Sequence, residues 1–216
     1  MTIKMYGFWR SIASFRVRAA LRLKGLDFEE IPVDILSGEQ FGPAYDGINA
    51  GHLLPTLLHD GQTLFQSLPI IEYLDQFYPE PALLPPGAAG RAYARALAMV
   101  TVADAHPLMV PRVRKYLGEI FNAGRDAVHA WSGHWVLEGL KTYERLLTER
   151  PPAPFAIGTS PGLADICIAG HVVSADYFRL DSSAFPATAA LAARCFTIPA
   201  FALSHPLAQA GAPKPA

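Results

Sequence analysis

Thiols, excess charge and long apolar runs are all scarce in this chain. Only two cysteines, Cys167 and Cys195, occur among 216 residues. Each lies in an apolar stretch and neither has metal-ligand spacing. A disulfide framework and a structural metal site are therefore excluded, and a reduced, cytoplasmic protein is expected. The 18 Lys+Arg balance 19 Asp+Glu, for a formal net charge of -1, and no basic stripe is present, which argues against a nucleic-acid partner. The longest uncharged run follows Arg194 but is broken by Pro199, Pro206, Pro213, His205 and Gln209, so no membrane span is expected. Met1-Thr2-Ile3-Lys4-Met5 shows neither the apolar segment nor the cleavage site of a secretory signal. No internal repeat or low-complexity segment interrupts the pattern. Apolar residues are plentiful at 51% against 17% charged, enough for a large core and for an apolar subunit interface.

The chain changes character near residue 80. Ile3, Met5 and Phe8 fall in a short strand. Phe15, Ala19, Ala20 and Leu23 then recur at helical spacing, with Arg16, Arg18, Arg22 and Lys24 between them, until Gly25 stops the helix. Phe28 to Val33 reads as an edge strand because it contains Pro32. Thr56-Leu57-Leu58-His59 and Thr63-Leu64-Phe65 flank Asp60-Gly61, a hairpin signal. Ser67 can cap a helix carrying Ile70, Ile71, Leu74 and Phe77 that ends before Pro79. The order βαβ then ββα predicts a small α/β domain over 1–79. Four prolines and two glycines between Pro79 and Gly90 mark a linker over 80–90. An all-α domain follows over 91–216, with helices from Arg91 to about His106, about Ala127 to Glu149, and Leu163 to Phe178.

Three junctions in the first domain could carry chemistry. At Arg10-Ser11-Ile12-Ala13-Ser14 a helix begins, and its unpaired N–H groups with the hydroxyl of Ser11 or Ser14 could stabilise an anion such as a thiolate; plain N-capping by serine is the other reading. Leu54-Pro55 enters a strand from a loop, where a cis bond would present the backbone of Leu54 to a ligand and a trans bond would make an ordinary turn. Gln66-Ser67 opens a helix that could either receive a carboxylate or simply be capped.

In order and spacing these segments resemble the glutathione site of the glutathione transferase superfamily, across essentially the whole chain. Phe8-Trp9-Arg10-Ser11, Arg16-Val17-Arg18, Leu23-Lys24-Gly25 and the tail Ile198-Pro199-Ala200-Phe201 with His205-Pro206 are similar to its zeta class, which includes maleylacetoacetate and maleylpyruvate isomerases. Asp104-Ala105-His106-Pro107 with Arg112 and Tyr116-Leu117 is similar to the maleylpyruvate branch. The resemblance implies a thioredoxin-like N-terminal domain, an all-helical C-terminal domain and a homodimer. It also implies glutathione as a recycled cofactor whose thiolate adds to a small electrophilic substrate. On the resemblance, Ser11, Ser14 and Arg10 are catalytic. His52, Leu54, Pro55, Gln66 and Ser67 bind glutathione, while Arg10, His106 and Arg112 hold the substrate.

The chain departs from the zeta pattern at three places. Ser11-Ile12-Ala13 stands where the class reads Ser-Ser-Cys. His171 replaces a glutamine, and Asp176-Tyr177 replace the stretch with an arginine just before Phe178; Arg179 could substitute only with a shifted helix phase, since one residue turns a side chain by about 100°. Met109 and Val110 replace a polar pair. A more apolar electrophile, or a non-catalytic binding protein on the same fold, is the alternative. Trp131 and Trp135 read as core or interface, His129 and His134 as non-ligands, and Cys167 as an inert buried thiol.

Overall fold

The computed structural model describes residues 2–213. The chain forms two compact units: residues up to Leu83 together with those from Thr197 onward, and Leu84–Phe196. The tail therefore joins the first unit, whereas the sequence places it in the helical domain over 91–216. Residues 1 and 216, the outer bounds of the expected domains, lie outside the described residues. The tail is held in the first unit by side-chain contacts: Arg22 Nη1 donates to Ser204 Oγ at 2.9 Å, and Phe201 and Ser204 are fully buried.

The first unit contains β1 (Ile3–Gly7), α1 (Ile12–Leu23), β2 (Phe28–Pro32), a 3-10 turn (Glu39–Phe41), α2 (Pro43–Asp46), β3 (Thr56–His59), β4 (Gln62–Phe65) and α3 (Ser67–Phe77). The sheet order is β2-β1-β3-β4, with β1 and β2 parallel and β1–β3 and β3–β4 antiparallel. Pro32 lies on an edge strand, as its missing N–H requires. Asp60 and Gly61 both take positive φ, 50° and 74°, the conformation of a two-residue hairpin turn. Gly25 at φ 64° closes α1: Leu26 N–H donates to Leu21 C=O and Gly25 N–H to Arg22 C=O, a Schellman ending that only glycine enters freely.

In the helical unit, α4 (Ala88–Met99) runs into a π-helical turn (Val100–Ala105), then α5 (His106–Met109), α6 (Pro111–Phe121), α7 (Arg125–Thr148), α8 (Leu163–Tyr177) and α9 (Pro186–Phe196). The sequence predicts one α-helix from Arg91 to His106. The chain instead starts that helix earlier and widens it to π geometry just before Pro107, whose ring and missing N–H do not fit a regular turn. Helix α8 is central, with Leu163 to Gly170 all buried. It approaches α7 closely at Gly139, where a Cβ would lie 2.3 Å from His171 Nε2, and His171 Nε2 bonds Val136 C=O at 2.9 Å. Among the described residues no group of His, Cys, Asp or Glu could hold a metal ion, and no helix is long and apolar enough to cross a membrane.

Asp165, at the start of α8, accepts the N–H groups of Ala156 (2.8 Å) and Gly162 (2.9 Å), so it fastens the preceding loop to the helix. Burial outweighs these bonds and pushes its carboxyl up from 3.8 to about 6. Between those values the folded chain holds a proton that the unfolded chain has released, so this group's contribution to stability falls as pH rises through the window. Asp165→Asn, which cannot titrate, is expected to gain up to about 3 kcal/mol relative to wild type between about pH 4 and pH 7. Urea unfolding at both pH values checks this, and a constant difference between the two proteins would exclude it.

Candidate active site

The sheet register collects the three junctions. Tyr6 pairs with Thr56, and Thr56 pairs with Phe65. The end of β1, the start of β3 and the end of β4 therefore lie at one end of the sheet, and Ser11, Leu54-Pro55 and Gln66-Ser67 all emerge there.

Ser11 is the N-cap of α1. Its Oγ accepts Ser14 N–H at 3.1 Å, its N–H donates to Phe8 C=O at 2.9 Å, and its C=O accepts Phe15 N–H at 2.8 Å. The capping bond uses one lone pair and leaves the hydroxyl proton to donate. An anion in front of α1 would meet that proton and the free N–H groups of the first turn, which carries no acidic residue. Ser14 lies behind Ser11. It is fully buried and its Oγ accepts Phe8 N–H at 3.3 Å, so it ties the junction from inside. Arg10 is half-buried, with its guanidinium 5.9 Å from the ring centroids of both Phe8 and Trp9.

The Leu54-Pro55 peptide bond is cis. A buried polar network brackets it. Tyr45 Oη donates to Leu53 C=O at 2.6 Å and lies 2.7 Å from Thr56 Oγ1, while Asn49 Nδ2 donates to both acceptors at 3.0 Å. Burial raises the Tyr45 phenol above its usual pKa, so it stays a neutral donor. The network holds Leu53 and Thr56, the residues on either side of Leu54-Pro55. His52, at φ 50°, is partly exposed, bonds Asp46 Oδ1 at 2.8 Å through Nε2, and packs on Phe41 with centroids 5.1 Å apart.

Gln66 takes φ 69° and ψ 123°, a conformation that costs a non-glycine residue about 1–3 kcal/mol and concentrates at functional sites. Ser67 is almost fully buried, and its Oγ accepts Arg16 Nε at 3.0 Å. Its hydroxyl proton also remains available to an acceptor. Arg16, Tyr45 and Asn49 support the junctions without having been singled out by the sequence. Their signal was weak: Arg16 looks like any polar residue between apolar ones, and the partners of Tyr45 and Asn49 are set by tertiary contact.

His106 and Arg112 belong to the helical unit. His106 opens α5 directly after the π turn, and Arg112 is exposed on α6. Helix α8 ends at Tyr177, with Asp176 and Tyr177 exposed. A Schellman closure follows, in which Leu180 N–H donates to Ala175 C=O and Arg179 N–H to Asp176 C=O. Arg179 is the left-handed residue of that closure, at φ 53°, so it does not continue the helical phase.

A family model described as Glutathione S-transferase, N-terminal domain, matches residues 1–76. Over 208 residues the chain is 39% identical to a maleylpyruvate isomerase of Ralstonia sp, covering 96% of this chain and 98% of that one. Over 214 residues it is 36% identical to a maleylacetoacetate isomerase of Pseudomonas aeruginosa, covering 98% and 99%. Among solved structures, a maleylpyruvate isomerase described as a bacterial zeta-class glutathione transferase matches with a TM-score of 0.94 and 39% identity, over 97% of this chain and 100% of that one. A maleylacetoacetate isomerase of Methylobacterium extorquens AM1, solved with malonate and glutathione, matches with a TM-score of 0.95 and 39% identity, over 98% and 100%. The chain belongs to the zeta class of the glutathione transferase superfamily.

The cap itself can be tested apart from any chemistry. Ser11→Ala leaves Ser14 N–H without its acceptor and is expected to lower stability by about 1 kcal/mol, which Ser11→Thr largely restores. Urea midpoints measure the effect; equal midpoints for all three proteins would mean that the bond does not cap α1.

Proposed function

We propose that this protein is a glutathione-dependent cis–trans isomerase of the zeta type, acting on a small conjugated diacid such as maleylpyruvate or maleylacetoacetate. The observation that carries the reading is the convergence of three polar junctions at one end of the sheet, with the hydroxyl protons of Ser11 and Ser67 both unspent. Full-length relatives with these activities support it, as do neighbours solved with glutathione or with dicarboxyethyl glutathione and citrate. Glutathione is the cofactor of the reading. Its two carboxylates and one amine suit short polar side chains and helix ends, without a metal.

In the reaction, Ser11 Oγ–H and the first turn of α1 hold the glutathione sulfur as a thiolate. The thiolate adds to one carbon of the substrate's double bond, and the electron pair moves into the adjacent carbonyl as an enolate. Rotation about the new single bond follows. Return of the electron pair expels the thiolate and leaves the trans product, so no atom is gained or lost. Arg10, beside Ser11, is assigned to a substrate carboxylate as a planar bidentate donor. Leu54, through its backbone beside cis Pro55, and His52 are assigned to the cysteinyl and glycyl parts of glutathione, and Gln66 and Ser67 to the γ-glutamyl end. His106 and Arg112 are assigned to the substrate on the resemblance. Ser14 is placed behind Ser11 as its support. A cytoplasmic homodimer completes the proposal, in keeping with two free buried cysteines and with the exposed rings of Phe65 and Phe77.

Ser11→Ala is expected to lower kcat by about 100-fold or more, the scale of losing one donor to a developing anion, with the fold retained. Unchanged turnover would remove Ser11 from the chemistry. Assays of maleylpyruvate, maleylacetoacetate and an aryl halide decide the substrate class: inert diacids beside a reactive halide would overturn the isomerase in favour of a transferase for apolar electrophiles. Calorimetry that finds no glutathione binding at millimolar concentration would favour a non-catalytic protein.

A further inference from the structure

Arg18 has no place in the chemistry described, yet among the described residues it is the largest fully buried side chain. It projects from the middle of α1. Nη1 donates to Glu30 Oε1 on β2 at 2.7 Å and Nη2 donates to Trp9 C=O at 3.1 Å. Its Nε is buried with no hydrogen-bond partner. Burial lowers the guanidinium's pKa, against the opposing pull of Glu30. An ion pair whose arginine is fully buried, with an unmatched donor and a carboxylate only 23% exposed, is a poor way to obtain stability, because apolar residues of similar volume commonly do as well or better. The backbone also makes room for it. A Cβ on Gly7 would lie 2.4 Å from Glu30 Oε1, so the carboxylate occupies space that glycine leaves open at the end of β1.

The recipient of the second bond is informative. Trp9 C=O immediately precedes Arg10 and Ser11 in the loop between β1 and α1. The other ties of that loop, Phe8 N–H to Ser14 and Ser11 N–H to Phe8 C=O, fix its inner side. The bond from Arg18 is a charged one, and the carboxylate of Glu30 orients its fork.

We infer that Arg18, held by Glu30, is a positioning residue that sets the Trp9 carbonyl and with it the direction of the Ser11 hydroxyl toward the glutathione sulfur. The inference rests on the proposed role of Ser11. It gives the buried pair a function that stability alone does not explain: two hydrogen bonds in a planar fork fix a rotation as well as a distance. A lysine at position 18 has no such fork and can satisfy only part of the arrangement.

The test uses the full-length protein with glutathione alone, reading the ultraviolet absorbance of the bound thiolate against pH. The principal variant is Arg18→Met/Glu30→Gln, which removes both charges together and leaves no uncompensated ion in the core. Glu30→Gln alone, which keeps an acceptor for Arg18, is the second variant should the double one fail to fold. Wild type is expected to lower the thiol pKa of bound glutathione. In the double variant that pKa is expected to rise by about half a unit or more, and in Glu30→Gln by a smaller amount. Thermal midpoints stay close to wild type, and in a separate assay with maleylpyruvate kcat falls more than the KM for glutathione rises. A merely structural pair would move the midpoint and leave the thiol pKa where it was, and that result overturns the inference while leaving the role of Ser11 intact. If bound glutathione keeps its free-solution pKa in wild type, the role of Ser11 and the inference fall together.

Discussion

A buried helix cannot leave its cations unpaired, and α1 with its C-cap Lys24 holds three that are buried, beside the half-buried Arg22. From Ile12 to Leu21 every residue of α1 is buried, Arg16 and Arg18 included, and Lys24 at its end is buried as well. Each charge must find partners inside the unit, because a lone buried cation would cost several kcal/mol. Those partners are spread over the structure. Arg16 reaches Ser67 at the β4–α3 junction, Arg18 reaches Glu30 and the loop before Ser11, and Lys24 Nζ reaches Asp75, Tyr78 C=O and Pro81 C=O at 2.6–2.7 Å. Asp75 in turn accepts Leu83 N–H at 2.7 Å. The requirement to pair three charges thus attaches one helix to two site junctions and to the end of α3.

Much of this unit could be read in advance, because its signals are local. Asp60-Gly61 sets a hairpin through its own φ angles, Gly25 ends α1 through its own, and Ser11 caps through an atom three residues from its donor. The cations of α1 could not be read in the same way. Arg16, Arg18, Arg22 and Lys24 alternate with apolar residues and look like the wet face of an amphipathic helix. Only their partners on β2, α3, the loops and the C-terminal tail, 9 to 182 residues distant along the chain, reveal how little of that face is wet. The inward bond of Ser14 is hidden from the sequence for the same reason. Its neighbours in sequence make it look like a second hydroxyl for a ligand, whereas the fold turns it toward Phe8 N–H.

The helical unit shows the converse. Its helices follow from apolar spacing, yet the irregular points come from single residues acting against that spacing. Pro107 widens the preceding turn to π geometry and so sets where His106 begins α5. Arg179 takes the left-handed position that normally falls to glycine, and by ending α8 it leaves Tyr177 exposed in the last turn. Helix α6 has no fully buried residue, so little in its packing distinguishes Arg112 from an ordinary surface arginine. The substrate assignments proposed in this unit consequently rest on resemblance alone, while the proposed glutathione assignments add to resemblance the meeting of three junctions at one end of the sheet.

The proposed role of Ser11 is compatible with its role as a cap. Capping and chemistry compete only if they need the same part of the hydroxyl, and they do not. The cap takes a lone pair and fixes the oxygen against Ser14 N–H, which leaves the O–H to rotate over fewer directions. A donor restrained in this way loses less entropy when it meets an anion than a free serine would. The cap is thus part of how the donor is aimed. The loop that carries it is tied in turn by Ser14 from within and by Arg18 through the Trp9 carbonyl, so the rigidity of the site descends from the same buried helix that begins at its cap.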